Sequence, residues 1–176
     1  MKTCLVGCGG IAAVHGSVLT SGIDTEFVAA ADIKPEKAQS YAENFHTKPY
    51  PSLESMLEAE KPDVLHICTP HYLHVPMAIY SLERNINVFM EKPPAISFDQ
   101  LEELKKAAAK SEAQLGFCYQ NRYNASIRAA KDLIDSGKAG KVLGARAFVT
   151  WCRGAAYYTE SGWRGSLKTE GGGVLI

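Results

Sequence analysis

The chain has 176 residues, of which 46% are hydrophobic and 22% are charged, a composition typical of a globular protein. Its 19 lysines and arginines balance 19 aspartates and glutamates, which excludes the basic excess of a general nucleic-acid or anionic-membrane binder. No apolar run approaches the roughly 18 residues that a membrane span requires. The five cysteines form no C-x-x-C pair, so we expect reduced thiols, no metal site and a cytoplasmic location.

The first element is an apolar strand that runs into a glycine-rich turn and then a helix. Gly7, Gly9 and Ala12 stand at the three positions of the G-x-G-x-x-G/A dinucleotide fingerprint. Gly7 allows a tight turn, Gly9 lets the backbone approach a pyrophosphate, and Ala12 lets the helix pack close to the strand. The helix then offers unpaired N–H groups and partial positive charge to the phosphates.

An acidic residue closes the second apolar run, residues 27–31. Asp32 stands about 20 residues beyond the glycine turn, where the fingerprint requires a carboxylate. A carboxylate there accepts hydrogen bonds from an adenosine ribose and repels a 2′-phosphate, which favours NAD over NADP, although Lys34 lies nearby. The alternative is that Asp32 only caps the helix that begins near Pro35.

Strand and helix patterns alternate through the first two thirds of the chain. Five strands with helical crossovers imply a mainly parallel sheet that is covered on both faces. We therefore predict an α/β fold of the Rossmann type, a doubly wound parallel sheet. The first helix carries an apolar stripe of Ile11, Val14 and Val18, and residues 49–51 are a short extended piece. The expected strands are 2–6, 27–31, 63–68, 86–90 and 114–119.

Glycine and polar residues follow each predicted strand. In parallel sheets, ligands bind beyond the carboxyl ends of the strands, so these residues predict a ligand site at one edge. His66 lies inside a strand, and we interpret it as a core histidine. The segments at the predicted edge are 7–10, Asp32, 69–71, 91–92 and 120–122.

The pattern changes beyond Arg122. A helix is expected over 126–136, and residues 141–151 alternate between apolar and polar as in a strand with one exposed face. A single long strand cannot bury both of its faces alone. We therefore expect a dinucleotide-binding domain at 1–121 and an incomplete α+β domain at 122–176.

Several motifs together resemble the Gfo/Idh/MocA oxidoreductases, which include glucose–fructose oxidoreductase and inositol dehydrogenase. The resemblance covers the whole chain and implies a Rossmann domain followed by an α+β domain whose open sheet often forms a dimer interface. It also implies hydride transfer between NAD(P) and a hydroxyl-bearing carbon of a sugar, polyol or sugar derivative. A homo-oligomer is expected where the second domain is complete. The motifs are GCGGIA at 7–12, AAAD at 29–32, CTPHYLH at 68–74, EKPPAIS at 91–97 and QNRY at 120–123.

The resemblance also implies roles for individual residues. Lys92 matches the catalytic lysine, which touches the substrate and helps to move its hydroxyl proton, although a lysine at a strand end can also be a plain surface residue. Arg122 is expected at the substrate. The implied cofactor contacts are Gly7, Gly9, Gly10, Ile11, Ala12, Asp32, Thr69, Pro70, His74, Glu91, Lys92, Gln120, Asn121, Trp163 and Arg164.

Within that set, Thr69, Pro70 and His74 are expected at the nicotinamide and Glu91 at its ribose. The alternative for His74, as for the neighbouring His71, is a helix-start residue without function. Trp163 and Arg164 resemble a pair that closes over the cofactor, and the alternative is a surface aromatic beside an arginine.

The family's second-domain signature places an Asp and a His after the triple glycine, and both positions fall beyond Ile176. We therefore expect this chain, as given, to be a poor catalyst or none. One alternative is a catalytically silent dinucleotide-binding or assembly module. Another is a fragment of a longer enzyme, in which an exposed strand edge at 142–149 invites pairing and aggregation.

Overall fold

The computed structural model describes residues 1–22 and 24–172. It contains two compact units, one formed by Met1–Cys118 with residues 163–172, the other by Tyr119–Gly162. The predicted domain boundary after residue 121 stays a prediction.

The first unit is built on a six-stranded sheet in which every neighbouring pair is parallel. The strand order is β3-β2-β1-β4-β5-β6, the order of the Rossmann fold. This confirms the predicted parallel α/β sheet and adds β3 at one edge, where only an extended piece was expected. The strands are β1 (Lys2–Val6), β2 (Glu26–Ala31), β3 (Lys48–Tyr50), β4 (Val64–Ile67), β5 (Asn87–Glu91) and β6 (Leu115–Cys118).

Helices connect the strands of this sheet. Ser52 caps α3 by accepting a hydrogen bond from the N–H of Ser55, and Ser97 caps α5 through the N–H of Gln100. The helices are α1 (Ala12–Ser21), α2 (Pro35–Phe45), α3 (Leu53–Glu60), α4 (His74–Leu82) and α5 (Phe98–Lys110), with a 3-10 turn at His71–Leu73. Among the described residues, no helix has the length and apolar character that crossing a membrane demands.

Both faces of the sheet are covered. Consecutive residues of β1 point in opposite directions and still lie in apolar clusters. Cys4 and Val6 pack in the larger cluster, whereas Leu5 packs in a smaller one with Ala12 and Tyr41. This arrangement explains why the strand is apolar along its length instead of alternating.

The apolar stripe of α1 does not face the core. Ile11, Val14 and Val18 are 40%, 59% and 64% exposed. Small side chains let the other face of the helix approach closely, since a Cβ added at Gly16 would lie 2.5 Å from Oη of Tyr41. The buried residues of α1 are Ala12, His15, Gly16 and Leu19.

The second unit contains helical elements and no described strand. Its elements are a 3-10 turn at Gln120–Tyr123, α6 (Ala125–Asp135) and α7 (Ala155–Thr159). The predicted strand over 141–151 is wrong, because these residues form no regular structure and are all exposed. A strand needs a neighbour for its N–H and C=O groups, and the described residues of this unit supply no second strand.

Candidate active site

Gly7 makes the turn between β1 and α1. Its φ is +93°, a conformation that favours glycine. Its N–H donates to the carbonyl oxygen of Ala31 at 2.8 Å, and an added Cβ would lie 2.7 Å from the carbonyl carbon of Cys68. The turn therefore lies against the ends of β2 and β4, and the reason for glycine at this position is confirmed.

The next part of the turn is open. Gly9 and Gly10 are exposed, and an added Cβ would meet no described atom within 4 Å at either residue. The N-cap residue Ile11 provides no capping side chain, and the first turn of α1 has no acidic residue. The helix N-terminus thus keeps donors and positive charge available for an anion.

The Asp32 carboxylate is part of the same turn. Its Oδ2 accepts a hydrogen bond from the N–H of Cys8, and its Oδ1 accepts one from the N–H of Lys34, both at 2.9 Å. The N-cap of α2 is Lys34, so Asp32 does not cap that helix. Its carboxylate instead lies beside the glycine turn, which is where a ribose-binding carboxylate belongs.

The strand register brings the remaining segments to this edge. Val6 of β1 pairs with Ala31 of β2 and with Ile67 of β4, and Ile67 pairs with Met90 of β5. The segments that follow these residues therefore emerge side by side at the carboxyl end of the sheet. These are the turn at Gly7, Asp32, Thr69 and Pro70, and Glu91 with Lys92.

His74 links two of these segments from inside the protein. It is fully buried, with Nδ1 2.8 Å from the carbonyl oxygen of Pro93 and Nε2 2.9 Å from that of Thr69. Burial lowers the pKa of His74, and the two carbonyl oxygens oppose that shift. The side chain predicted at the nicotinamide thus ties the loop after β4 to the segment after β5.

Thr69 carries an unusual hydroxyl. Its Oγ1 is buried and has no hydrogen-bond partner among the described residues. A buried polar group without a partner is costly, so this position suits a ligand that brings a donor or acceptor. Pro70, which follows, is half-buried and is the N-cap residue of the 3-10 turn.

Glu91 and Lys92 end β5 in different environments. Glu91 is 6% exposed, and its Oε1 lies 3.0 Å from Nε2 of His15. Lys92 is half-buried and forms no salt bridge within the described residues. Lys92 therefore follows the carboxyl end of β5 without an ion-pair partner among the described residues, whereas the Glu91 carboxylate is held inside.

The segment 163–172 returns to the same edge of the first unit. The Trp163 ring lies 4.6 Å from the His71 ring, and the Arg164 guanidinium lies 4.2 Å from the Trp163 ring. Burial lowers the pKa of His71 to about 4, so the neutral ring donates from Nδ1 to the carbonyl oxygen of Glu170 at 2.8 Å. The structure thus brings Trp163 and Arg164 to the loop that follows β4.

Other predicted residues belong to the second unit. Gln120, Asn121 and Arg122 lie in its 3-10 turn and are exposed, and their predicted roles stay predictions. Sequence reasoning missed His15, which lies on the buried face of α1 three residues after Ala12. A polar residue at that spacing, behind the fingerprint, is the signal that could have found it.

The comparison with protein families agrees with this fold. Residues 1–119 match the Gfo/Idh/MocA family model, an oxidoreductase family with an NAD-binding Rossmann fold. The chain belongs to the Gfo/Idh/MocA oxidoreductase family, as the sequence motifs predicted.

Two of the curated relatives are sugar dehydrogenases. The chain is 28% identical over 180 residues to the D-glucoside 3-dehydrogenase of Escherichia coli. The aligned region covers 100% of this chain and 50% of the relative. It is 27% identical over 142 residues to the glucose-6-phosphate 3-dehydrogenase of Bacillus subtilis, covering 81% of this chain and 40% of the relative. The chain therefore spans half or less of the length of these two relatives.

Solved structures agree in fold. The WlbA dehydrogenase of Chromobacterium violaceum, solved with NADH and UDP-GlcNAcA, is 31% identical with a TM-score of 0.88, covering 96% of this chain and 49% of that chain. The myo-inositol 2-dehydrogenase of Lactobacillus plantarum is 26% identical with a TM-score of 0.75, covering 81% of this chain and 43% of that chain.

Proposed function

We propose that this protein is an NAD-dependent oxidoreductase that transfers a hydride between nicotinamide and a hydroxyl-bearing carbon of a sugar, polyol or sugar derivative. The observation that carries the proposal is the Asp32 carboxylate, held by the N–H of Cys8 beside an open glycine turn. Sugar dehydrogenases among the relatives support the substrate class. The NADH and UDP-sugar complex of the WlbA dehydrogenase supports both the cofactor and the substrate class.

The residues of the first unit fit such a cofactor. The N-terminus of α1 and the exposed Gly9 bind the pyrophosphate, and Asp32 binds the adenosine ribose. The buried Oγ1 of Thr69 gains a polar partner at the nicotinamide end. A bound nicotinamide supplies or accepts the hydride.

Lys92 is the residue that handles the proton. It directly follows the carboxyl end of β5, and its amine forms no salt bridge within the described residues. During oxidation Nζ takes the hydroxyl proton of the substrate, and during reduction it returns that proton. A cytoplasmic location is part of the proposal, and the thiols of the five cysteines support it.

A titration of the whole chain with NADH and with NADPH tests the cofactor, using nicotinamide fluorescence as the signal. We expect saturable binding that is tighter for NADH, because Asp32 repels a 2′-phosphate. Asp32→Asn should weaken NADH binding by about tenfold, equivalent to about 1.4 kcal/mol. It should also reduce the difference in affinity between NADH and NADPH. Absence of saturable binding by a folded chain would contradict the proposal.

The matched control is Asp63→Asn. Asp63 Oδ2 also accepts a backbone hydrogen bond, from the N–H of Lys2 at 2.7 Å, but it lies at the amino end of β1. This variant should bind NADH as the unsubstituted chain does. Lys92→Ala should also keep NADH binding and should abolish any turnover of sugars and polyols.

A further inference from the structure

A string of hydrogen-bonded polar side chains includes Glu91, the residue that precedes Lys92. Nε2 of His15 is 3.0 Å from Oε1 of Glu91, and Nδ1 of His15 is 2.9 Å from Nδ1 of His66. His15 is 7% exposed and Glu91 is 6% exposed. One helix and three strands thus contribute to a single hydrogen-bonded arrangement. His15 is in α1, His66 is in β4, Glu91 ends β5 and Cys118 ends β6.

The protons of this string can be assigned from the contacts. Burial pushes the pKa of Glu91 up, but hydrogen bonds from His15, Cys118 and the Lys92 backbone outweigh burial and hold it below its ordinary value. A charged carboxylate only accepts, so Nε2 of His15 carries a proton and donates it. Burial and the nearby His15 lower the pKa of His66 to about 4, so a single proton lies between the two Nδ1 atoms.

Lys92 is therefore held on both sides. Before it, the Glu91 carboxylate accepts from His15 and from the backbone N–H of Lys92 itself. After it, the Pro93 carbonyl lies 2.8 Å from Nδ1 of His74. Two buried histidines from α1 and α4 thus anchor the residues that flank the lysine.

We propose that Glu91 and His15 are positioning residues that hold Lys92 at the site. The proposal rests on the proposed function only for the role of Lys92. Two observations carry it: the Glu91 side chain is almost fully buried, and its carboxylate is already engaged by groups of the protein.

Two substitutions at His15 separate its two contacts. The amide nitrogen of Gln can occupy the position of Nε2, so His15→Gln keeps a donor for Glu91 and loses the contact with His66. The shorter amide of Asn matches Nδ1, so His15→Asn keeps the contact with His66 and loses the one with Glu91. Both variants remove the ring, so a general packing defect affects them alike.

The first measurement is the rate at which Lys92 is acetylated by an amine-reactive ester without cofactor, followed by mass spectrometry. The exposed Lys105 and Lys131 serve as internal references. We expect His15→Asn to change the relative rate at Lys92 and His15→Gln to retain it. Equal rates in all three proteins, or equal changes in both variants, would overturn the proposal.

The second measurement repeats the labelling with NADH at about ten times its dissociation constant, where about one tenth of the protein is free and labelling of a shielded lysine falls about tenfold. We expect this protection in the unsubstituted chain and in His15→Gln, and its loss in His15→Asn although NADH still binds. If NADH binds none of the proteins, the proposed function fails, while the cofactor-free rates still decide the positioning role.

Two further experiments test the remaining explanations. Glu91→Gln keeps an acceptor for His15 and Glu91→Met does not, so this pair repeats the comparison if His15→Asn does not fold. The side-chain atoms of His15, Glu91 and Cys118 that could bind a metal ion also lie within 4.8 Å of one another. If the difference between the two His15 variants disappears after treatment with EDTA, a metal ion produces it and the proposal is overturned.

Discussion

Two segments of this chain show what makes a strand. Lys48–Tyr50 has three residues and a central proline, yet it forms β3, because β2 offers an open edge and proline is tolerated at the edge of a sheet. Residues 141–151 alternate between apolar and polar and yet form no strand. The difference is the neighbour, since a pattern predicts which face a strand will bury but supplies no partner for its backbone.

The same contrast separates the two units. The first unit buries apolar residues on both faces of its sheet. In the second unit, Tyr119–Gly162, none of the described residues is buried. Stability in the first unit therefore comes from tertiary packing, whereas the second unit has local helical contacts.

Amide hydrogen exchange should separate the two units most strongly. Amides of β1 open only with global unfolding, so we expect protection by about 10³-fold or more, as a stability of about 5 kcal/mol or above implies. Amides of residues 141–151 should exchange near the rate of an unstructured peptide. Mass spectrometry of peptides from both regions makes the measurement, and strong protection of 141–151 in this chain would break the contrast.

Gly7→Ala should be the most damaging single substitution at the glycine turn. Its Cβ would lie 2.7 Å from the backbone of Cys68, at a φ of +93° that disfavours side chains. We expect a loss of about 3 kcal/mol or more in the free energy of unfolding, measured in urea.

Gly9→Ala is the matched control for Gly7→Ala. An added Cβ at Gly9 meets nothing within 4 Å, so this variant should fold normally. It should nevertheless weaken NADH binding, because the methyl group enters the space that we assign to the pyrophosphate. Similar destabilisation by both substitutions would show that the close approach to Cys68 is not what selects glycine at Gly7.

The sequence predicted the parallel sheet well, because its signals are local. Each buried strand is a short apolar run, and the fingerprint links Gly7, Gly9 and Asp32 by fixed spacing. The stripe of α1 was less informative, since Gly16 and Ala12 pack through their lack of bulk and carry little hydrophobic signal. The strand at 141–151 failed because its formation depends on a neighbour that periodicity does not reveal.

The sequence predicted at which edge of the sheet the candidate site lies. Connectivity brings the carboxyl ends of parallel strands together, the fingerprint spacing pointed to Asp32, and the family resemblance pointed to Lys92. The contact between His15 and Glu91 was not predictable, because these residues are 76 positions apart and meet only through tertiary packing. The same holds for His74, whose two carbonyl partners come from separate loops.

Glu60→Gln should lower the free energy of unfolding, because Glu60 holds two residues of the edge strand β3. Glu60 Oε1 accepts from Tyr50 Oη at 2.6 Å and from Lys48 Nζ at 2.9 Å, and these hydrogen bonds lower the Glu60 pKa from 4.5 to about 2. We expect the substitution to cost about 2 kcal/mol at pH 7, less than the full shift implies, because water screens the exposed Lys48 ammonium.

The lowered pKa of Glu60 determines how the effect of Glu60→Gln on stability changes with pH. Because folding lowers the Glu60 pKa, its contribution is complete above pH 4.5 and disappears as the pH falls through about 2. The difference between the unsubstituted chain and Glu60→Gln in urea unfolding should shrink over that interval. Glu58→Gln, on the exposed face of the same helix, is the control. A difference that stays constant with pH would show that the ion pairs do not stabilise this edge.

The smallest effect concerns the helix caps. Ser97 Oγ accepts from the N–H of Gln100 at 3.2 Å, so Ser97→Ala should lower the stability of the first unit by about 1 kcal/mol. Asn124 is the N-cap of α6 but forms no side-chain capping hydrogen bond, so Asn124→Ala should change the urea midpoint little. The comparison tests whether helix ends in the second unit contribute to the cooperative transition. If Asn124→Ala costs as much as Ser97→Ala, the two units unfold together and the contrast between them is weaker than their burial implies.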